Sequence, residues 1–190
     1  MFKNMRRTVG LLVAMAAALT GAGLAVQSPA SAVVAYGADV HRSTTIERAA
    51  DWNSRNVQYS ESTDPDNAVW DENHGRKYRP DCSGFVAMAW KLNGSDPVGS
   101  SGIYTQNLDN YAHDIDYNDM LPGDALLRLA ATSAEPAHVM LFQKWSSGFD
   151  SMWIYEESNS TTDMEHKVIT ASWFHSHGYK AIRYDHIIKD

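Results

Sequence analysis

Cys82 is the one cysteine in a chain of 190 residues that also carries eight histidines, so any thiol chemistry here has a single sulfur to use. A thiol attacks a carbonyl as its thiolate, and it needs an imidazole to accept its proton and later to protonate the leaving group. An unpaired cysteine has three fates: a bridge to another chain, an inert place in a core, or a reactive site. The neighbours of Cys82 favour the third. Pro80 and Asp81 before it are helix-start signals, and Ser83 and Gly84 after it are small residues that leave room for a substrate backbone. A helix start presents unpaired backbone N–H groups, which favour a thiolate and can also bind an oxyanion.

His138 is the best-placed imidazole. It opens the strand-like run Val139-Met140-Leu141-Phe142, where a rigid sheet can aim its ring. His41 and His186 lie near the chain ends, His74 and His113 in loop-like sequence, and His166, His175 and His177 in a less regular last third.

The elements that must hold these groups can be read from periodicity. A helix is expected from Ser43 to about Asn56, with Thr44 and Glu47 as a capping box and Ile46, Ala49, Ala50 and Asn53 along one stripe. Residues 60–80 read as a long polar loop punctuated by Pro65, Gly75 and Pro80. A second helix runs from Asp81 or Cys82 to Leu92, burying Phe85, Val86, Ala89 and Trp90, holding the sulfur at the surface and stopping at Asn93-Gly94. A short helix is expected near Tyr104 to Leu108. After the Leu121-Pro122-Gly123-Asp124 turn come five strand-like runs: Ala125–Leu129, Ala137–Phe142, Ser151–Glu157, Lys167–Thr170 and Ala181–Tyr184. Helices first and strands later predict an α+β domain with a mainly antiparallel sheet.

Three motifs, Asp81-Cys82-Ser83-Gly84-Phe85-Val86, then Leu121-Pro122-Gly123-Asp124, then Ala137-His138-Val139, occur in an order that resembles the NlpC family of papain-like cell-wall cysteine peptidases. The resemblance spans roughly residues 44–184. It implies a papain-like fold in which a helix bearing the cysteine packs on a small sheet, with Cys82 as nucleophile and His138 as base. The activity it implies is hydrolysis of amide bonds in peptidoglycan stem peptides. Family members carry a third polar residue, most often histidine, on the strand after the base; here that strand reads Ile154-Tyr155-Glu156-Glu157-Ser158, and the alignment favours Glu156 over Glu157. A carboxylate can orient an imidazole, and alternation along a strand lets only one of the two glutamates do so. Tyr59 resembles a tyrosine that lines the family's cleft, and Tyr59, Asp81 and Ser83 are the candidate substrate-binding residues.

Other residues have a plainer default. Asp64, Asp66 and Asp71 do not follow an EF-hand spacing, and His175-x-His177 lacks the H-E-x-x-H of a zinc hydrolase, so no metal and no cofactor is expected. Arg76, Lys77 and Arg79 could receive a substrate carboxylate but read as a solvated loop. Trp145, Trp153, Trp173 and Tyr155 could line a glycan or peptide site, although core packing is the usual fate of such residues.

Lys3, Arg6 and Arg7 precede an apolar run from Val9 to Val26 that ends in Ala30-Ser31-Ala32, the pattern of a secretory signal cut after residue 32. One catalytic domain, residues 33–190, is then expected outside the cell as a monomer, with no membrane contact after cleavage. Residues 1–32 hold three of the 16 Lys and Arg and none of the 23 Asp and Glu, which leaves residues 33–190 at a formal charge of −10. Nucleic acid is an unfavourable partner for such a chain. Two alternatives remain at this level: an amidase or transpeptidase using the same dyad on another amide, and a catalytically silent binding or inhibitor protein on the same fold.

Overall fold

The computed structural model describes residues 36–94, 98–129 and 135–190, which belong to a compact unit beginning at Val34. The expected signal segment lies outside the described residues. In chain order, β1 (Val40–His41) runs directly into α1 (Arg42–Ser54), followed by the two short strands β2 (Val69–Trp70) and β3 (Lys77–Tyr78) and then α2 (Cys82–Ala89). A 3-10 turn at Thr105–Tyr111 leads to β4 (Ala112–Ile115), β5 (Ala125–Arg128), β6 (His138–Ser147), β7 (Ser151–Glu157) and β8 (Met164–Thr170). α3 (Ala171–Ser176), β9 (Lys180–Tyr184) and β10 (Ile187–Ile188) close the described chain.

Six strands form one antiparallel sheet in the order β4-β9-β5-β6-β7-β8. The α+β class read from the element order holds. Alternation along the strands divides the core in two. Ala125, Leu127, Val139, Leu141 and Tyr155 pack with α2 in one cluster, while Leu126, Met140, Phe142, Met152 and Ile154 pack with Phe174 and Tyr179 in the other. Both faces of the central strands are therefore covered, which is why β5 and β6 read as continuous apolar runs.

α2 is buried along its whole length, as a helix without a polar face must be. Its end differs from the expected Asn93-Gly94 stop. The helix closes at Ala89, Lys91 takes a left-handed turn at φ 57°, and the Leu92 amide returns to the Ala87 carbonyl at 2.8 Å.

α1 departs further from its expected pattern. It begins at Arg42 behind His41, which makes no side-chain cap, so the Thr44/Glu47 capping box is not formed. Of the expected stripe Ala49 is fully buried and Ile46 and Ala50 pack partly against the core, while Arg42, Thr45, Arg48 and Trp52 are the other buried positions and Asn53 is not among them. The reason is charge pairing. Arg42 reaches Asp124 at 2.9 Å and Arg48 reaches Asp71 at 3.2 Å, and a buried guanidinium is tolerated only with such a partner.

Asp124 makes the Leu121-Pro122-Gly123-Asp124 turn a structural hub. Its fully buried carboxylate also accepts from Arg183 Nη2 at 2.7 Å and from the Leu121 amide at 2.7 Å, tying α1, the turn and β9 together. Gly123 sits at φ +89°, and a Cβ there would stand 2.7 Å from Ile187 Cδ1, so the turn needs glycine. The loop expected at residues 60–80 contains the β2–β3 ladder and the buried Asp71, which accepts from Tyr36 Oη at 2.5 Å and from the Gly75 amide at 2.9 Å. Among the described residues no helix is long and apolar enough to cross a membrane.

Candidate active site

The site starts from Asp81. Its side chain accepts the Gly84 amide at 2.7 Å and its carbonyl accepts the Phe85 amide at 2.8 Å, so Asp81 caps α2 as the sequence predicts. Arg79 fixes the cap from behind: Nε donates to Asp81 Oδ2, and Nη2 donates to Ser83 Oγ at 3.1 Å and to the Ile103 carbonyl at 3.0 Å. Arg79 is thus buried in the scaffold rather than solvated, contrary to the loop expected for it. Asp81 and Ser83 line a wall of the groove, but their side-chain oxygens are engaged with each other and with Arg79.

Gly84 allows this arrangement. A Cβ at position 84 would lie 1.9 Å from the Arg79 carbonyl oxygen, so the first turn of α2 can seat against that backbone only as glycine.

The cap leaves Cys82 as the first helical residue, 8% exposed. The sulfur is recessed rather than held at the surface, because α2 is sunk into the core. It is still reachable. Cavities of about 470 Å3 and 310 Å3 both border Cys82 and share Tyr59, Glu61 and Ala137 in their walls. Pro136, Ser158, Asn159 and Ser160 complete the first, and Arg79, Tyr104, Thr105 and Gln106 complete the second. Together they make a polar groove with the sulfur in its floor.

His138 and Cys82 border the same cavity, and the Cys82 thiol is among the groups that act on the imidazole. Its Nε2 lies 2.6 Å from Glu156 Oε2, so Nδ1 is the ring nitrogen outside that contact. Lys167 Nζ stands 2.5 Å from the other oxygen, Glu156 Oε1. Sheet register explains the grouping. Continuing the Leu141↔Tyr155 pair places Glu156 against Met140, one diagonal from His138, and Lys167 lies diagonal to Glu156 on β8.

The charges follow from these contacts. Burial acts to lower the His138 pKa, but its interactions with Cys82 and Glu156 outweigh it and push the pKa up to about 9. Burial acts to raise Glu156, and His138 with Lys167 outweighs it, so the carboxyl is held below its ordinary value. Imidazolium and carboxylate are therefore the favoured forms at neutral pH. Thr105 Oγ1 is 3.4 Å from the Cys82 sulfur, a neighbour on neither the nucleophile helix nor the base strand.

Tyr59 lies in both cavity walls and donates its hydroxyl to Glu61 at 2.8 Å. Glu157 points away from the base, on the α2 side of the sheet, so of the two glutamates Glu156 is the one that meets His138. The aromatic wall does not form at the groove. Trp145 packs with Tyr117 and Phe149, Trp173 with His177 and Tyr179, and Trp153 and Tyr155 with His166. His175 stands against Tyr117 while His177 turns to Trp173, so the two face different partners. Asp64 caps a 3-10 turn through the Asp66 amide at 3.0 Å, apart from the buried Asp71.

Sequence reasoning missed Thr105 and Lys167. Thr105 carries no local signal, because its role comes from where a loop folds over the helix start. Lys167 becomes visible only once the β7–β8 register is known. Compared with known proteins, the chain matches no family model, no curated protein and no solved structure.

Proposed function

We propose that the chain is a secreted cysteine peptidase or amidase of papain-like type, with Cys82 as nucleophile, His138 as general base and acid, and Glu156 as the residue that orients the imidazole. The observation that carries this reading is that His138, bound through Nε2 to Glu156 Oε2 at 2.6 Å, borders the same cavity as Cys82. A thiol, an imidazole and a carboxylate in that order are the parts of acyl transfer.

The step balances within those parts. The Cys82 thiolate adds to an amide carbonyl carbon, forming a C–S bond, and the oxyanion is met by backbone N–H groups of the first turn of α2, including that of Cys82. His138, carrying the proton taken from sulfur, gives it to the leaving nitrogen as the C–N bond breaks. Water, deprotonated by His138, then cleaves the thioester and returns the thiol. Glu156 stabilises the imidazolium through both halves, and Lys167 keeps Glu156 ionised.

The substrate class rests on the resemblance of the Asp81–Val86, Leu121–Asp124 and Ala137–Val139 segments to NlpC-type peptidases, and the polar groove agrees with it. Ser60, Glu61, Ser158, Asn159, Thr105 and Gln106 offer hydrogen bonds to a peptide rich in amides and carboxylates. The test is incubation of the full-length secreted protein with peptidoglycan fragments. Wild type is expected to release new amines and Cys82→Ala to release none above background; equal release by the two would end the hydrolase reading.

A further inference from the structure

Glu157 is the one described carboxyl group whose two oxygens are both buried without a hydrogen-bond partner, and no step given above uses it. Its side chain is fully buried. On β7 it projects to the α2 side with Tyr155, and its register partner Met164 packs in the same cluster as Cys82. Glu156, one residue earlier, projects to the other face and meets His138 and Lys167 there. Two adjacent glutamates therefore flank the dyad from opposite sides, one ion-paired and one alone.

The groups whose charge acts most strongly on Glu157 are acids. Asp163, in the turn between β7 and β8, acts on it together with Asp81 and Cys82 at the start of α2. The cations on the surrounding elements hold other partners. Arg79 grips Asp81, while Arg42 and Arg48 of α1, which also packs against β7, pair with Asp124 and Asp71. A carboxyl in such a place keeps its proton: burial first, then the neighbouring acids, push its pKa to about 8. Near neutrality it is an uncharged group buried on the α2 side of the sheet, and on ionising it becomes a negative charge with no hydrogen-bond partner.

We propose that Glu157 is a positioning residue for the charge on Cys82: neutral, it leaves the thiolate–imidazolium pair intact, and ionised, it drives the proton on His138 back to the sulfur and silences the nucleophile at alkaline pH. In that event Glu157 gives its own proton to solvent, and the pair changes from S⁻ with imidazolium to SH with neutral imidazole. Like charges in a water-poor site raise each other's pKa, as in paired carboxylates that share one proton. The inference rests on the nucleophile and base assigned above, but not on the identity of the substrate.

The experiment measures the rate of Cys82 alkylation by iodoacetamide against pH, in the full-length chain, for wild type and Glu157→Gln. Glutamine keeps the size and the polarity and removes the ionisation. Below neutrality the two proteins are expected to react within about twofold of each other, and near pH 9 the variant about tenfold faster, the size of a one-unit coupling. Superimposable profiles across that range overturn the proposal. Should Glu157→Gln not fold, wild type labelled with 13C at the glutamate carboxyls provides the same test by NMR. Capping Cys82 with iodoacetamide removes the thiolate charge, so the last glutamate to titrate should do so roughly half a pH unit or more lower. An unmoved midpoint overturns the proposal. Alkylation needs no substrate, so a protein inert toward peptidoglycan still answers the question, and an active enzyme with identical profiles refutes the Glu157 role alone.

Discussion

His138 and Glu156 meet across adjacent strands, with Nε2 2.6 Å from Oε2 on side chains that are 13% and 5% exposed. A charge-assisted hydrogen bond in so dry a place fixes the ring orientation and leaves Nδ1 outside the contact with Glu156. Glu156→Gln keeps a hydrogen-bond acceptor but removes the charge. It should lower kcat/KM roughly 10- to 100-fold, the usual cost of losing an orienting partner. It should also move the alkaline limb of activity to lower pH, because Glu156 is one of the two partners that raise the His138 pKa to about 9. A pH profile checks both effects, and an unshifted alkaline limb would detach Glu156 from the base.

Stability should fall as pH rises from about 4.5 to 9. Glu157 holds its proton up to about 8 in the folded chain against an ordinary 4.5, and His138 holds one up to about 9 against 6.5. In each case the native state binds a proton that the unfolded chain has released. The contribution of His138 is complete below pH 6.5 and is lost between 6.5 and 9; the cost of Glu157 grows from 4.5 to 8. Depressed carboxyls such as Glu156 and Asp71 act in the opposite sense, and only under acid conditions. Thermal melts of wild type should therefore show Tm declining by several degrees from pH 6 to 9, with a visibly flatter decline in Glu157→Gln. A Tm that rises over that interval would contradict the buried neutral carboxyl.

Thr105 Oγ1 stands 3.4 Å from the sulfur, at the lip of the smaller cavity. Thr105→Val preserves shape and removes the hydroxyl. One neutral hydrogen bond is worth about 0.5–1.5 kcal/mol, so the alkylation rate of Cys82 should change by roughly 2- to 10-fold with the Tm nearly unchanged. An unchanged rate would leave Thr105 as packing only.

Much of this arrangement was legible before any coordinates. Local signals carried it: Pro80 and Asp81 announce the start of α2, and a run rich in strand formers announces β7 at Ser151–Glu157, where structure and sequence agree residue for residue. What escaped was nonlocal. Arg42 and Arg48 look like surface positions because the rule linking charge to solvent has no knowledge of Asp124 and Asp71, far along the chain. Arg79 misled although two of its partners, Asp81 and Ser83, are close in sequence; only the carbonyl of Ile103 is distant, and it comes from the loop that folds over the helix start. β4 and α3 were also missed. β4 has four residues and a pattern half exposed, and α3 has six, too few for either period to stand out.

Gly84 offers the sharpest test of how the nucleophile is seated. The amide of Gly84 binds Asp81 Oδ1 at 2.7 Å, and its α-carbon faces the Arg79 carbonyl so closely that an added Cβ would lie 1.9 Å from the oxygen and 2.9 Å from Asp81 Oδ1. Alanine has the higher helix propensity, and at a free position it would stabilise α2 by about 0.5–1 kcal/mol. Here the backbone on the other side belongs to the segment that carries Arg79, whose guanidinium holds the cap, so neither side can yield without disturbing Asp81, Ser83 and Cys82 together. Steric cost should reverse the propensity gain. Gly84→Ala should lose about 1–3 kcal/mol, the range for overpacked sites, and Cys82 alkylation should slow in whatever folded protein remains, as the sulfur shifts from His138. Chemical denaturation and alkylation kinetics measure the two effects separately. A variant as stable and as reactive as wild type would mean that α2 is not anchored on the Arg79 carbonyl.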